Sequence, residues 1–155
     1  MVISVSDGIP RHIGSSTVNL EATWSSNGEN LMFREGSSLR VYSVKGKVTR
    51  TLYQAPAGKT IGGMEMYANI WSPDGNRVII TKQDTSAASV SLQKLILINP
   101  ADGSFNMLGE APKGYRLKEL RWSPDGSRVM ATGNSIRNVP ASTYEYWVLE
   151  NFLPK

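Results

Sequence analysis

The chain has 155 residues, 40% of them hydrophobic and 19% charged, which is typical of a single globular domain. The absence of cysteine excludes disulfides, thiol catalysis and cysteine-ligated metal sites. The net charge of +4 comes from scattered rather than clustered basic residues, and no apolar run reaches the length of a membrane helix, so neither nucleic-acid binding nor direct membrane insertion is predicted.

The first residues, "MVISVSDGIPRHIG", contain an apolar run, an Asp-Gly turn and a second run at 10–14. A strand, a turn and a strand are half of a four-stranded antiparallel unit whose strands we label A to D. The segment 1–16 is therefore predicted to supply a C–D half blade. Because its inner neighbours are missing, Pro10, Arg11, His12 and Ile13 are expected to pair with an edge strand elsewhere.

The segment 17–56 contains a complete unit. Its four β-type runs are "VNLEATW", "NLMF", "SLRVYSV" and "VTRTLYQ", and short polar turns separate most of them. The first run ends at Trp24 and leads into the turn "SSNGE". This segment is predicted to form one four-stranded blade.

The same plan returns twice. "WSPDGNRV" begins at Trp71 and "WSPDGSRV" at Trp122, so the spacings from Trp24 are 47 and then 51 residues. Repeats of about 40–50 residues made of short β-type runs are typical of propeller blades. The segment 64–110 is predicted to be a second blade, and 116–155 to provide strands A, B and C of a last one. The stretch "APAGKTIGGME" is expected to be a long D–A loop.

Residues that recur in every repeat are expected to serve the repeat. The three tryptophans are predicted to pack between neighbouring blades rather than to bind an aromatic ligand. Asp74 and Asp125 each offer a single carboxylate in a Pro-Asp-Gly turn, which favours turn formation over calcium binding. His12 is the only histidine and has no nucleophile elbow to serve, so it is not predicted to be catalytic.

At the two "WSPDG" motifs the chain resembles the TolB-like β-propellers, which are related to the WD-repeat propellers. The resemblance implies an all-β fold of radially arranged four-stranded antiparallel blades. It also implies a bacterial protein of the cell envelope, periplasmic or otherwise extracytoplasmic, that binds protein more often than it catalyses a reaction; a cytoplasmic location stays open.

About three blades are too few to close a ring, so the sequence predicts a partial propeller with open ends. Three ways of covering the ends stay open: a second copy that gives a six-bladed dimer, a partner chain or larger complex, and a longer polypeptide of which this is a piece. In the dimer, residues 9–14 of one copy would complete the last blade of the other. The edge residues of that last blade are Tyr144, Tyr146 and Val148.

Two of the long variable segments, "QDTSAASVSLQ" and "GNSIRNVPAST", are predicted B–C loops and lie on the same face as the long D–A loop. Loops held by a rigid scaffold commonly carry binding residues. We predict a partner surface for an acidic or polar protein on this face. Its basic residues are Lys59, Lys82, Lys113, Arg116 and Arg137.

The sequence thus predicts a non-catalytic scaffold or protein-interaction module, without cofactor or metal, that works as an oligomer or inside a larger complex. The alternatives are the gating propeller of a prolyl-oligopeptidase-type serine peptidase and a ligand-sensing propeller. The terminal "FLPK" is expected to be a natural end, which speaks against the peptidase fragment.

Overall fold

The computed structural model describes residues 2–3, 10–13, 22–57, 59–62, 70–84, 93–135 and 144–149. Thirteen β-strands lie in these ranges, and no helix there is long and apolar enough to cross a membrane. The strands are β1 (Val2–Ile3), β2 (Pro10–Arg11), β3 (Ala22–Trp24), β4 (Asn30–Glu35), β5 (Ser38–Ser43), β6 (Val48–Gln54), β7 (Lys59–Gly62), β8 (Val78–Asp84), β9 (Gln93–Ile98), β10 (Phe105–Glu110), β11 (Tyr115–Trp122), β12 (Val129–Ser135) and β13 (Tyr144–Leu149).

The strands form four separate antiparallel sheets in chain order. The half blade is β1–β2, blade I is β3–β6, blade II is β7–β10, and blade III is the three-stranded sheet β11–β13. Within each sheet, every strand pairs with the next one along the chain, which is the meander expected from tight turns. The fold class predicted from the sequence, an all-β partial propeller, is confirmed.

One turn, which joins strands A and B, recurs in all three blades. In blade II, Ser72 Oγ donates to Asp74 Oδ1 (2.5 Å) and accepts from the Arg77 N–H (2.9 Å), while Gly75, with φ +71°, donates its N–H to the Ser72 carbonyl. Asp74 Oδ1 also accepts from the Asn76 N–H at 3.0 Å. The carboxylate is therefore a turn-forming group, as predicted.

The same turn in blade III has an electrostatic signature. The hydrogen bond from the Ser123 hydroxyl, followed by those from the Ser127 N–H and hydroxyl, lowers the pKa of Asp125 to about 2. The hydrogen bond from Ser72, followed by that from Asn76, likewise lowers the pKa of Asp74. Both turns thus stabilise an ionised aspartate.

Strand β7 lies where the sequence predicted a loop. Lys59–Gly62 pairs with the end of β8, from Lys59 opposite Asp84 to Gly62 opposite Thr81, and Trp71 forms a separate bridge with Val78. The inner strand of blade II is therefore split, with six more residues between its two pairing sites than a regular ladder would place there. The prediction that 59–62 belong to a D–A loop is wrong.

Apolar layers fill the spaces between successive blades. One layer joins blades I and II and includes Met32, Leu39, Trp71 and Ile80; a second joins blades II and III and includes Ile79, Leu95 and Trp122. A smaller cluster on the opposite side of blade I contains Leu31, Phe33 and Tyr42, with Ile13 after β2 packed against it. Because each layer uses side chains from two sheets, the blades are stacked face to face.

Candidate protein-interaction site

Each buried tryptophan attaches its blade to the one before it. The Trp71 indole donates to the carbonyl of Thr23 in blade I at 3.3 Å, and the Trp122 indole donates to the carbonyl of Ile70 in blade II at 3.0 Å. Thr23 and Ile70 each precede the tryptophan of their own blade. The contact therefore repeats with the blades, and Trp71 (0% exposed) and Trp122 (7%) are buried by it, as predicted.

Trp24 occupies the equivalent position in blade I but is 48% exposed. It pairs with Leu31 across β3 and β4, just as Trp71 and Trp122 pair with valines of their B strands. Within the part of the chain that the structure describes, its indole makes no hydrogen bond. The prediction that Trp24 packs between blades is therefore wrong for this chain, because no inner strand of a preceding blade is described beside it.

The half blade covers only the outer part of the same surface. Thr49 in β6 donates its hydroxyl to the Ile13 carbonyl at 3.0 Å, and Ile13 packs against the cluster that contains Tyr42. Strand β2 thus stands where the outermost strand of a preceding blade would be. We call this side of blade I, with Trp24 at its inner edge, the leading face.

The opposite end of the stack exposes apolar side chains too. Met130 pairs with Val148, and Thr132 with Tyr146, on the side of blade III that points away from blade II. Val148 is 59% exposed and Tyr146 is 70% exposed. We call this surface, formed by Met130, Tyr146 and Val148, the trailing face.

Equivalent residues in the other blades show what such a face normally contacts. By strand register, Val148 corresponds to Val41 and Leu97, and Tyr146 to Leu39 and Leu95. Those four side chains are buried, each at 6% exposure or less, in the layers between blades. The trailing face therefore has the side chains of an inter-blade layer, but no blade among the described residues covers them.

The residues predicted to pair at open edges lie in two strands. Pro10 and Arg11 form β2 and pair with Ile3 and Val2, whereas His12 and Ile13 follow the strand instead of extending it. The predicted run at 10–14 is thus described as a strand of two residues.

At the other end, Tyr144, Tyr146 and Val148 all lie in β13. Among the described residues β13 pairs only with β12, which leaves its outer edge available.

The predicted basic surface is only partly on loops. Lys113 is exposed in the turn before β11, but Lys59, Lys82 and Arg116 lie in strands β7, β8 and β11. These four residues share the end of the sheets at which the A strands begin. Arg137 lies outside the described residues.

The predicted contrast between a plain and an elaborated face is also weaker than expected where the connections are described. The B–C connection of blade I is the two-residue turn at 36–37, and the link from blade II to blade III is 111–114. Neither is longer than the A–B turns.

Two side chains that the sequence reading missed join blades at this end. Gln93 is buried; its Nε2 donates to the Leu117 carbonyl at 3.1 Å and its Oε1 accepts from the Leu117 N–H. Arg34 Nη1 donates to the Ile61 carbonyl at 3.0 Å in the equivalent place between blades I and II. The signal for Gln93 in the sequence was its alternation with Leu95 and Leu97, which places its polar side chain on the core side of the strand.

The stacked antiparallel sheets and the repeated inter-blade contacts define a β-propeller segment. No family model matches the chain, and no curated protein matches it in sequence. Solved structures do match. They include an oligogalacturonate lyase from Vibrio parahaemolyticus (TM-score 0.65, 10% identity, 85% of this chain and 37% of that one) and TolB from Acinetobacter baumannii (TM-score 0.57, 15% identity, 96% and 34%). The fold is that of the TolB-like β-propellers.

The tricorn protease is a third similar structure, with a TM-score of 0.55, 6% identity and coverage of 77% of this chain and 11% of that one. The chain thus spans about a third or less of each of these proteins. At such identities the likeness concerns the fold.

The prediction that the chain is not an enzyme is overturned by these matches, because the fold is shared with a lyase and a protease. The repeat pattern identifies the propeller and does not exclude catalysis.

Proposed function

We propose that the chain is a protein-interaction and assembly module whose leading and trailing faces bind protein. The observation that carries this proposal is the contrast among three equivalent tryptophans: Trp71 and Trp122 are buried against a preceding blade, whereas Trp24 is half exposed. Because the equivalent indoles are buried wherever a preceding blade is present, we infer that a protein surface covers the indole of Trp24.

The energy available at the leading face is substantial. An aromatic side chain buries about 150–250 Å² when it is covered, so covering the exposed half of Trp24 is worth about 2–3 kcal/mol. Large exposed aromatics with a free polar atom are also typical interface anchors. The indole N–H adds a donor that a partner's carbonyl would satisfy.

The trailing face contributes a second patch of similar character. Tyr146 and Val148 project from a strand whose outer edge is unpaired among the described residues. Apolar side chains beside an open strand edge favour association with another chain.

The basic end of the sheets, with Lys82, Lys113 and Arg116, is proposed as an additional surface that steers an acidic or polar protein towards the module. Steering of this kind weakens as salt rises. The likeness in fold to TolB supports an extracytoplasmic, bacterial setting for the module, which cell fractionation would test.

Similar solved structures that are enzymes support a second candidate function. The oligogalacturonate lyase and the tricorn protease use this fold in enzymes, which supports a role for the chain as the propeller part of a lyase or a peptidase. Assays of oligogalacturonate cleavage and of peptide hydrolysis with the purified chain, with and without proteins that co-purify with it, test this candidate directly.

The assembly proposal is tested by site-specific photocrosslinking in the source cell. Tyr146 is replaced by p-benzoylphenylalanine, and the same replacement of Met107, which is 56% exposed on the outermost strand of blade II, is the matched control. A crosslinked protein product at position 146 and none at position 107 is expected. Equal yields at both positions, or none at 146, would overturn the proposal.

A further inference from the structure

We propose that the occupant of both end faces is a second copy of this chain, which docks head to tail so that Trp24 of each copy covers the trailing face of the other. This inference rests on the proposed function and names its partner. It comes from a property of the repeat: each end of the chain carries one half of the contact that joins the blades internally.

The first half of that contact is the indole and its acceptor. The carbonyls that receive Trp71 and Trp122 belong to Thr23 and Ile70, and Ile70 accepts from the Ile79 N–H as well as from Trp122. The next carbonyl in this series is that of Arg121, which precedes Trp122 in blade III. A carbonyl has two lone pairs, so Arg121 can accept from β12 and from one further indole.

Trp24 is the one indole in the series whose acceptor is absent from the described part of the chain. Donor and acceptor are thus both present, but at opposite ends of the stack. The described blades of one copy cannot form this contact among themselves, because three blades would have to bend into a closed ring and rings need at least about four. It can form between two copies, once at each junction.

The second half of the contact is apolar. Val41 and Leu39 of blade I are buried in the same layer as Trp71 of blade II, and Leu97 and Leu95 in the same layer as Trp122. Their counterparts in blade III are Val148 and Tyr146. Trp24 is the tryptophan that these two exposed side chains would meet in the next blade of the series.

The half blade completes the fit. The segment that follows β2 is held on its own blade I by the hydrogen bond from Thr49 to the Ile13 carbonyl, so β2 lies in the position of an outermost strand. Among the described residues, blade III has three strands and no strand pairs with the outer edge of β13. An incoming β13 can take the place of β1, which pairs with β2 at only two positions.

Each junction then contains β11, β12 and β13 of one copy and β2 of the other. The β2 strand keeps its contact with its own blade I, and only the short pairing with β1 is exchanged. Two copies give six four-stranded blades, within the range of closed propellers, and two identical junctions related by a two-fold axis.

The test measures the mass in solution by light scattering. The wild-type chain is expected at about twice its mass of 17.0 kDa. Trp24→Ala and Val148→Asp, each of which changes an exposed side chain on one end face, are expected at the monomer mass. Met107→Ala, exposed on an outer strand, is the matched control and is expected to stay a dimer.

Mixing the two monomeric variants gives the decisive result. In a mixed pair both changes fall in the same junction, and the other junction keeps Trp24 of one chain and Val148 of the other. Trp24→Ala and Val148→Asp are therefore expected to form a dimer together, with weaker affinity than wild type. Circular dichroism of each variant alone checks that it remains folded.

A wild-type chain that stays monomeric at micromolar concentration would overturn the second copy as the occupant. So would a folded Trp24→Ala variant that dimerises like wild type, or a mixture that stays monomeric. If the wild type is monomeric and position 146 still crosslinks to a different protein, the proposed function stands and only this inference is lost. If position 146 crosslinks to no protein, both are lost.

Discussion

The three equivalent tryptophans allow one substitution to be made in three environments. Replacing Trp122 with alanine removes a side chain that is 7% exposed and the donor to the Ile70 carbonyl, and replacing Trp71 removes one that is fully buried. Truncation of a buried tryptophan costs about 3–5 kcal/mol. The Ile70 carbonyl keeps the Ile79 N–H as a partner, so loss of this hydrogen bond adds only about 1 kcal/mol.

The same replacement of Trp24 is expected to cost far less. Its indole is 48% exposed, forms no hydrogen bond among the described residues, and leaves no enclosed cavity when it is removed. We expect a loss of about 2 kcal/mol in the free energy of unfolding, because about half of the side chain is covered. The gap between Trp24→Ala and either of the other two variants is therefore about 2–4 kcal/mol.

Urea unfolding followed by far-ultraviolet circular dichroism measures these differences. The measurement belongs at protein concentrations where the midpoint no longer depends on concentration, because association would add its own free energy to the wild type. Equal losses for Trp24→Ala and Trp122→Ala under these conditions would refute the claim that a preceding blade, rather than the repeat motif, determines the contribution of the tryptophan.

Two further predictions concern polar groups. The folded pKa of Asp125 lies at about 2, below its unfolded value near 3.9, so its stabilising effect is complete above pH ~4 and is lost as pH falls towards 2. Asp125→Asn is therefore expected to flatten the acid-unfolding curve in that window, as followed by circular dichroism. An unchanged curve would contradict the role of the Ser123 hydrogen bond. Gln93→Leu leaves the backbone N–H and carbonyl of Leu117 without their side-chain partner, so it is expected to lower the free energy of unfolding, measured in urea, by about 2–4 kcal/mol. The control Gln54→Leu changes an exposed side chain and is expected to cost less than about 1 kcal/mol. Equal losses would argue against a stabilising contact between Gln93 and Leu117.

Much of the fold was predictable because it is local. A strand that ends in Trp71 or Trp122, a Ser-Pro-Asp-Gly turn and a following β-branched strand each follow from short-range chemistry. Proline fixes φ, aspartate binds the backbone N–H two residues on, and glycine accepts a positive φ. The pairing of β1 with β2 was equally accessible, since the sequence has an Asp-Gly dipeptide between two apolar runs.

The split inner strand of blade II was not predictable in the same way. Lys59–Gly62 has no apolar alternation, and glycines within and on both sides of it (Gly58, Gly62 and Gly63) are typical of loops. It forms a strand because β8 extends to Asp84 and offers a long edge to pair with. Pairing of this kind depends on residues 19 to 25 positions away, and no local pattern reports it.

The clamp at Gln93 was missed for a related reason. A glutamine at the start of an apolar strand reads as a solvent-exposed end. Its amide is buried because blade III stacks against blade II and brings the backbone of Leu117 within reach. The contact forms only when two blades stack, so the sequence of one repeat does not predict it.

Trp24 shows where sequence reasoning reaches its physical limit in this chain. Three tryptophans stand at the same place in three copies of one motif, and the motif determines where each indole points. Whether the indole is buried depends on the carbonyl and the apolar side chains that the preceding blade presents. A repeat therefore specifies a donor on one side of each blade and an acceptor on the other. An open stack necessarily leaves one of each unused, and we propose that these two groups make the ends of this propeller segment its sites of interaction.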